Sequence, residues 1–211
     1  MIFQIIFAAI IASILFLFIF YLFWKLYFLR NPAVIIPEGN SIVSPAFGKV
    51  TKIIPFTKKE ITHKKGIFGN IHTFLSDVAA EGTLIVIQLT PFDVHYQRSP
   101  VNGIVRKITY SEGKFDNAVL SKFAFENEKN EILIEYSTQK KRTEKLKVIQ
   151  IAGILARRIE CFTHIGHPLK KGELIGLINL GSQVALILPK KKIFIKEGDI
   201  VRGGETVIAK V

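Results

Sequence analysis

From Ile2 to Trp24 the chain carries no charge, and only Gln4 and Ser13 interrupt the apolar run. A segment of this length crosses a hydrocarbon core of ~30 Å as a helix. It ends on the bulky aromatics Tyr21, Phe23 and Trp24, with Lys25 and Arg30 just beyond. A cleaved leader calls instead for a basic start, a shorter apolar stretch and small residues at the cut. The pattern predicts a retained transmembrane helix over residues 1–26. Basic side chains follow the run and none precedes it, so the positive-inside tendency places the rest of the chain on the cytoplasmic face of a cell membrane.

Beyond the span the period changes. Asn31 to Asn40 holds Pro32, Pro37 and Gly39 and reads as part of a linker over 27–43. Short β-branched or apolar runs follow at Thr83–Leu89, Glu131–Tyr136, Lys147–Ala152, Leu174–Leu180 and Val184–Leu188, each bounded by Gly, Pro, Asn or charge. Two internal repeats accompany them. Ser44-Pro45-Ala46-Phe47-Gly48-Lys49-Val50-Thr51-Lys52-Ile53 recurs as Ser99-Pro100-Val101-Asn102-Gly103-Ile104-Val105-Arg106-Lys107-Ile108. Gly166-His167-Pro168-Leu169-Lys170-Lys171-Gly172-Glu173 is echoed by Gly198-Asp199-Ile200-Val201-Arg202-Gly203-Gly204-Glu205. The pattern predicts a mainly β domain over 44–211, a duplicated antiparallel sandwich or barrel-like unit behind one N-terminal transmembrane helix.

Composition narrows the partners. The 29 Lys+Arg against 17 Asp+Glu give +12, which favours a negatively charged partner. A basic domain tethered to a bilayer finds that partner in anionic membrane lipid, so no nucleic acid is needed to explain the charge. The stretch Thr57 to Gly69, with Lys58, Lys59, Lys64 and Lys65, reads as a solvated loop beside lipid. Cys161 is the sole cysteine, which excludes an intrachain disulfide framework. His164 and His167 are spaced for a helix, yet Gly166 and Pro168 place them in a turn without a nearby acid, so no metal is expected.

The repeats resemble the barrel-sandwich units of biotinyl and lipoyl carrier domains. Such carriers present a lysine in an exposed tight turn, commonly flanked by methionine. Met1 is the sole methionine and no such lysine occurs, so that likeness concerns shape alone.

A second resemblance covers nearly everything outside the span. Phe28-Leu29-Arg30-Asn31-Pro32, Ser44-Pro45-Ala46-Phe47-Gly48, Phe92-Asp93-Val94-His95 leading into Arg98-Ser99-Pro100-Val101-Asn102-Gly103, Ala152-Gly153-Ile154-Leu155-Ala156-Arg157-Arg158 and Gly181-Ser182 occur in this order. Together they resemble the phosphatidylserine decarboxylase family, in its short branch. The resemblance implies a proenzyme cleaved between Gly181 and Ser182, with Ser182 becoming a pyruvoyl cofactor and the two chains remaining associated. It implies decarboxylation of phosphatidylserine to phosphatidylethanolamine, the pyruvoyl ketone serving as electron sink. A homo-oligomer is compatible with it.

Serine suits this chemistry because its hydroxyl can attack the Gly181 carbonyl and turn the amide into an ester; glycine keeps the attacked carbonyl uncrowded. His95 matches the family position for proton transfer, as imidazole titrates near neutral pH. Asp93 either orients His95 or caps the turn. Arg98, Arg157 and Arg158 are candidate contacts for the substrate phosphate or carboxylate. The sequence departs from the family at two places: the acid expected in the Ser-Pro-Ala-Asp-Gly segment is Phe47, and Gln183 stands where Thr or Arg is usual. The alternative is therefore a non-catalytic, unprocessed lipid-binding relative.

Overall fold

The computed structural model describes residues 2–57, 75, 77–112, 128–152, 159–179 and 182–211. The basic stretch with Lys58, Lys59, Lys64 and Lys65 lies outside them, as do His63 and His72. Helix α1 (Ile2–Leu22) continues into wider π-type turns over Phe23–Phe28. At ~1.5 Å per residue, α1 alone is about 31 Å long. None of its residues is buried by protein, and Ser13 returns its hydroxyl to the Ala9 carbonyl at 2.8 Å. It is long and apolar enough to cross a membrane.

The strands among the other described residues are β1 (Ser41–Val43), β2 (Gly48–Thr57), β3 (Glu81–Leu89), β4 (Tyr96–Arg98), β5 (Gly103–Ser111), β6 (Lys129–Ser137), β7 (Thr143–Ile151), β8 (Ile159–Cys161), β9 (Pro168–Leu169), β10 (Leu174–Ile178), β11 (Ser182–Pro189), β12 (Ile200–Val201) and β13 (Val207–Lys210). Among the described residues these form a large sheet, β12-β2-β3-β11-β7-β6-β5-β9, and two small ones, β4-β10-β8 and β1-β13. The expected mainly β, antiparallel architecture is what folds: three of the five expected runs lie within β3, β6 and β11, while β7 ends one residue before Ala152 and β10 ends at Ile178, with Leu180 outside the described residues. The central strands are buried on both faces. Ile85, Ile87, Val184, Leu186 and Val148 pack on one side with Ile42, Ile175 and Ile208 of the small sheets, while Leu84, Ile149, Ala185 and Ile187 pack on the other with Phe56 and Leu75. Burial on both faces explains why these strands read as continuous apolar runs rather than alternating ones.

The duplication is visible bond by bond. The large sheet reads as a palindrome, with β12, β2, β3 and β11 matched by β9, β5, β6 and β7. Ser44 Oγ donates to Ala46 O at 2.7 Å and Ser99 Oγ to Val101 O at 2.8 Å. Both following strands shift register at equivalent points, Val50/Lys52 and Val105/Lys107. The later repeats dock on the earlier ones alike: β12 pairs with β2 and β9 with β5, Val50 N donates to Asp199 O and Val105 N to His167 O. The two halves also clasp reciprocally, Val43 N donating to Pro100 O and Arg98 N to Pro45 O. Gly172 and Gly204 share φ of +83°, a backbone state that favours glycine, which is why both repeats carry it.

The halves are not consecutive. The first comprises β1–β3 and β11–β13; the second, residues 90–181, is inserted between Leu89 and Ser182. These two residues are Cα partners in the sheet. The entry and exit of the insertion therefore meet at one end of the large sheet. The stretch expected as linker is docked at both ends: Phe28 is fully buried, and Ile42 and Val43 belong to the core.

Candidate active site

The entry to the inserted half is the turn Thr90–His95. Thr90 N and Thr90 Oγ1 donate to Asp93 Oδ2 at 2.7 and 2.8 Å, and Asp93 N donates to Thr90 O at 3.0 Å. Of the two readings of Asp93, the geometry carries turn-capping for its carboxylate. Its backbone carbonyl, not its side chain, meets the histidine: His95 Nδ1 lies 3.0 Å from Asp93 O. A carbonyl only accepts, so Nδ1 bears the proton and the neutral ring keeps its lone pair on Nε2. Nε2 is buried and has no hydrogen-bond partner among the described residues.

Three surroundings hold this imidazole. Phe28 stacks on it with ring centroids 4.0 Å apart. Burial pushes the His95 pKa below its ordinary value; the Asp93 carbonyl and charge oppose the shift, and the nearby Arg30 cation adds to it. Behind the backbone runs a chain of buried amides: Asn130 Nδ2 donates to Gln150 Oε1 at 2.8 Å, Gln150 Nε2 to Gln97 Oε1 at 2.7 Å, and Gln97 Nε2 to His95 O at 2.6 Å. Arg30 donates to Phe92 O at 2.6 Å and to Tyr27 O at 2.8 Å, fixing the turn to the end of the membrane helix.

The exit of the insertion lies alongside. Tyr96 pairs with Leu177, and Ile178 N donates to His95 O at 3.2 Å. Ser182 follows four residues later in sequence, so its Cα lies within about 14 Å of that of Ile178. The backbone of Ser182 starts β11 opposite Leu89. Gly181, Arg157 and Arg158 lie outside the described residues.

Phe47 reaches the same end of the sheet, since Lys49, Gln88 and Gln183 pair in one row across β2, β3 and β11. Its ring is 8% exposed and packs where a Cβ on Gly203 would come within 3.0 Å, with the Arg202 guanidinium 5.9 Å from its centroid. Arg98 is engaged elsewhere. Its NH1 donates to Gly172 O at 2.9 Å and its NH2 to Asn31 Oδ1 at 2.5 Å, so this cation straps the 31–36 segment to the 170–173 turn. His164 and His167 stack on each other, and the described residues hold no cluster of His, Cys, Asp and Glu fit for a metal.

Phe28 and the amide chain were not among the residues expected at the site. A signal existed for each: Phe28 opens the Phe-Leu-Arg-Asn-Pro motif, and Gln97, Asn130 and Gln150 are polar positions within or beside apolar strands.

Comparison with known proteins identifies the family. The family model described as phosphatidylserine decarboxylase matches residues 22–209. The chain is 38% identical over 185 residues to a phosphatidylserine decarboxylase proenzyme of Wolbachia sp. subsp. Brugia malayi (strain TRS), covering 87% of this chain and 74% of the relative. It is 37% identical over 188 residues to that of Rickettsia bellii (strain OSU 85-389), covering 88% and 74%. It is 38% identical over 182 residues to that of Syntrophus aciditrophicus (strain SB), covering 85% and 76%. With the family match running from the end of the membrane helix to the last strand, this chain belongs to the phosphatidylserine decarboxylase family.

Proposed function

We propose that the chain cleaves itself between Gly181 and Ser182, carries a pyruvoyl group made from Ser182, and decarboxylates phosphatidylserine to phosphatidylethanolamine at the cytoplasmic face of a membrane. The observation that carries the reading is the buried, unpartnered Nε2 of His95 at the entry of an insertion whose exit is Ser182. The residues present suit the group: a serine begins a central strand, and a neutral imidazole with a free lone pair lies beside the backbone leading to it.

In processing, the Ser182 oxygen attacks the Gly181 carbonyl carbon while its proton passes to His95 Nε2. The Gly181–Ser182 C–N bond breaks and the departing nitrogen takes that proton, leaving an ester. Elimination of the Gly181 carboxylate and hydrolysis, with loss of ammonia, complete the change. When present, the pyruvoyl ketone supplies an electron sink for loss of carbon dioxide from an amine-bearing substrate. His95 Nε2 then delivers the proton that replaces the carboxylate. The lowered pKa of His95 keeps the ring neutral, with its Nε2 lone pair available for the first proton transfer. With Arg98 engaged by the strap, Arg157 and Arg158 are left to meet the substrate phosphate.

Retention of both chains is supported by the position of β11, which pairs with β3 on one side and β7 on the other. Phe47 favours a second reading, an unprocessed lipid-binding relative. Intact mass of the purified protein separates the two. A fragment of residues 182–211 with a pyruvoyl start is expected; full-length chain alone under conditions of active expression overturns the first reading.

A further inference from the structure

Phe92 is 65% exposed on the turn that leads to His95, with no place in either core cluster. Its backbone is held tightly: Arg30 and the Tyr27 hydroxyl both donate to its carbonyl, at 2.6 and 3.4 Å. Its ring stands edge-on to Phe23, centroids 6.3 Å apart, and to Tyr27, 6.4 Å apart. Phe23 directly follows α1, whose ~31 Å already matches a hydrocarbon core of ~30 Å. The aromatics beyond that length, Phe23, Trp24 and Tyr27, occupy the stretch where a span meets headgroups. A ring touching Phe23 shares its depth.

We infer that Phe92 is a second membrane contact, seated in the headgroup boundary beside the aromatic end of the span, and that it holds the His95 turn against the bilayer surface. The inference rests on α1 crossing the membrane. Its occupant is lipid because the patch is continuous with the lipid-facing surface of that helix, where Leu26 is 73% exposed and Tyr27 41%. Phe28, which stacks on His95, lies about one wide turn further along the axis than Phe23, at most about 7.5 Å even at the α-helical rise of ~1.5 Å per residue. The imidazole therefore sits at headgroup height. Burying one large aromatic side chain is sufficient to hold a turn but not to anchor a domain.

Tryptophan fluorescence in vesicles containing phosphatidylcholine brominated on its acyl chains tests this. Trp24 is the sole tryptophan, so the full wild-type chain reports on the span itself. Trp24→Phe combined with Phe92→Trp reports on the turn, and Trp24→Phe combined with Lys140→Trp is the control. Lys140 lies in the turn after β6, whose far end at Ser137 is about 27 Å along the strand from Lys129 at ~3.4 Å per residue, at the end opposite the site. Quenching at position 92 within about twofold of that of Trp24 is expected, with none at position 140. If Trp24 is quenched while position 92 behaves like position 140, the inference is wrong and the span stands. If Trp24 is not quenched, the span fails and the inference with it.

Discussion

The ring of Phe28 lies against the imidazole of His95, centroids 4.0 Å apart, and closes an aromatic column that begins inside the membrane helix. Phe20 stacks on Trp24 at 6.3 Å, and Trp24 on Phe28 at 4.4 Å. His95 is thus covered on its ring by the last turn of the N-terminal helix.

Removing that shield should change the pH dependence. In Phe28→Ala, water reaches His95 and its pKa rises toward the ordinary 6.5. Because the neutral ring is the working form for processing, the acidic limb of the pH–rate profile for cleavage should move to higher pH, whereas Phe28→Tyr should leave it in place. Superimposable profiles for all three proteins would show that the stacking has no electrostatic consequence.

The same depressed pKa affects folding. His95 is held neutral in the native state and protonates more readily when unfolded, so its contribution is fully present above about pH 6.5 and lost as pH falls below that value. Thermal melts of a Ser182→Ala chain, which stays uncleaved, should show this acid-side slope. Adding His95→Gln should flatten it; an unchanged slope would assign the loss to other groups.

Comparing Ser182→Ala with His95→Ala separates cofactor formation from proton transfer. Alanine at 182 removes the attacking hydroxyl, so no cleavage is expected. Alanine at 95 should slow cleavage and turnover by ~10²- to 10⁴-fold, the usual cost of losing a general acid or base. Normal cleavage with impaired turnover would confine His95 to the decarboxylation step.

Phe47→Asp tests the missing acid. The Arg202 guanidinium near the ring offers the new carboxylate a partner. Faster cleavage is expected with Asp, and none of that gain with Phe47→Ala, alongside a lower melting temperature in both from lost packing. Wild-type cleavage that is already fast and slowed by Asp would mean that His95 needs no acid at this place.

Much of this was legible in order along the chain. The span, the strands β3, β6, β7, β10 and β11, and both repeats could be read because apolar periodicity and turn residues are local signals. The repeated Ser-Pro turns even carried their register shift with them, since Val50/Lys52 and Val105/Lys107 occupy matching positions. His95 and Ser182 were legible as separate motifs. Asp93 stayed ambiguous because the choice between capping Thr90 and facing His95 depends on how a six-residue turn closes, which side-chain identity does not dictate. Arg98 was legible as a candidate anion contact, but its bond to Asn31, far upstream, was not, because nothing near it in sequence shows that pairing.

By itself, then, the sequence determined the long apolar helix, the strand content, the duplication and the residues available for chemistry, since each depends on neighbours within a few positions. Tertiary structure alone decided that one half is inserted into the other between Leu89 and Ser182, which makes partners of two residues remote in the chain. It alone decided that Phe28 covers His95 and that Asn130, Gln150 and Gln97 form one amide chain behind it. Strand pairing, ring stacking and burial of polar groups join residues through space, and only the folded chain brings those residues together.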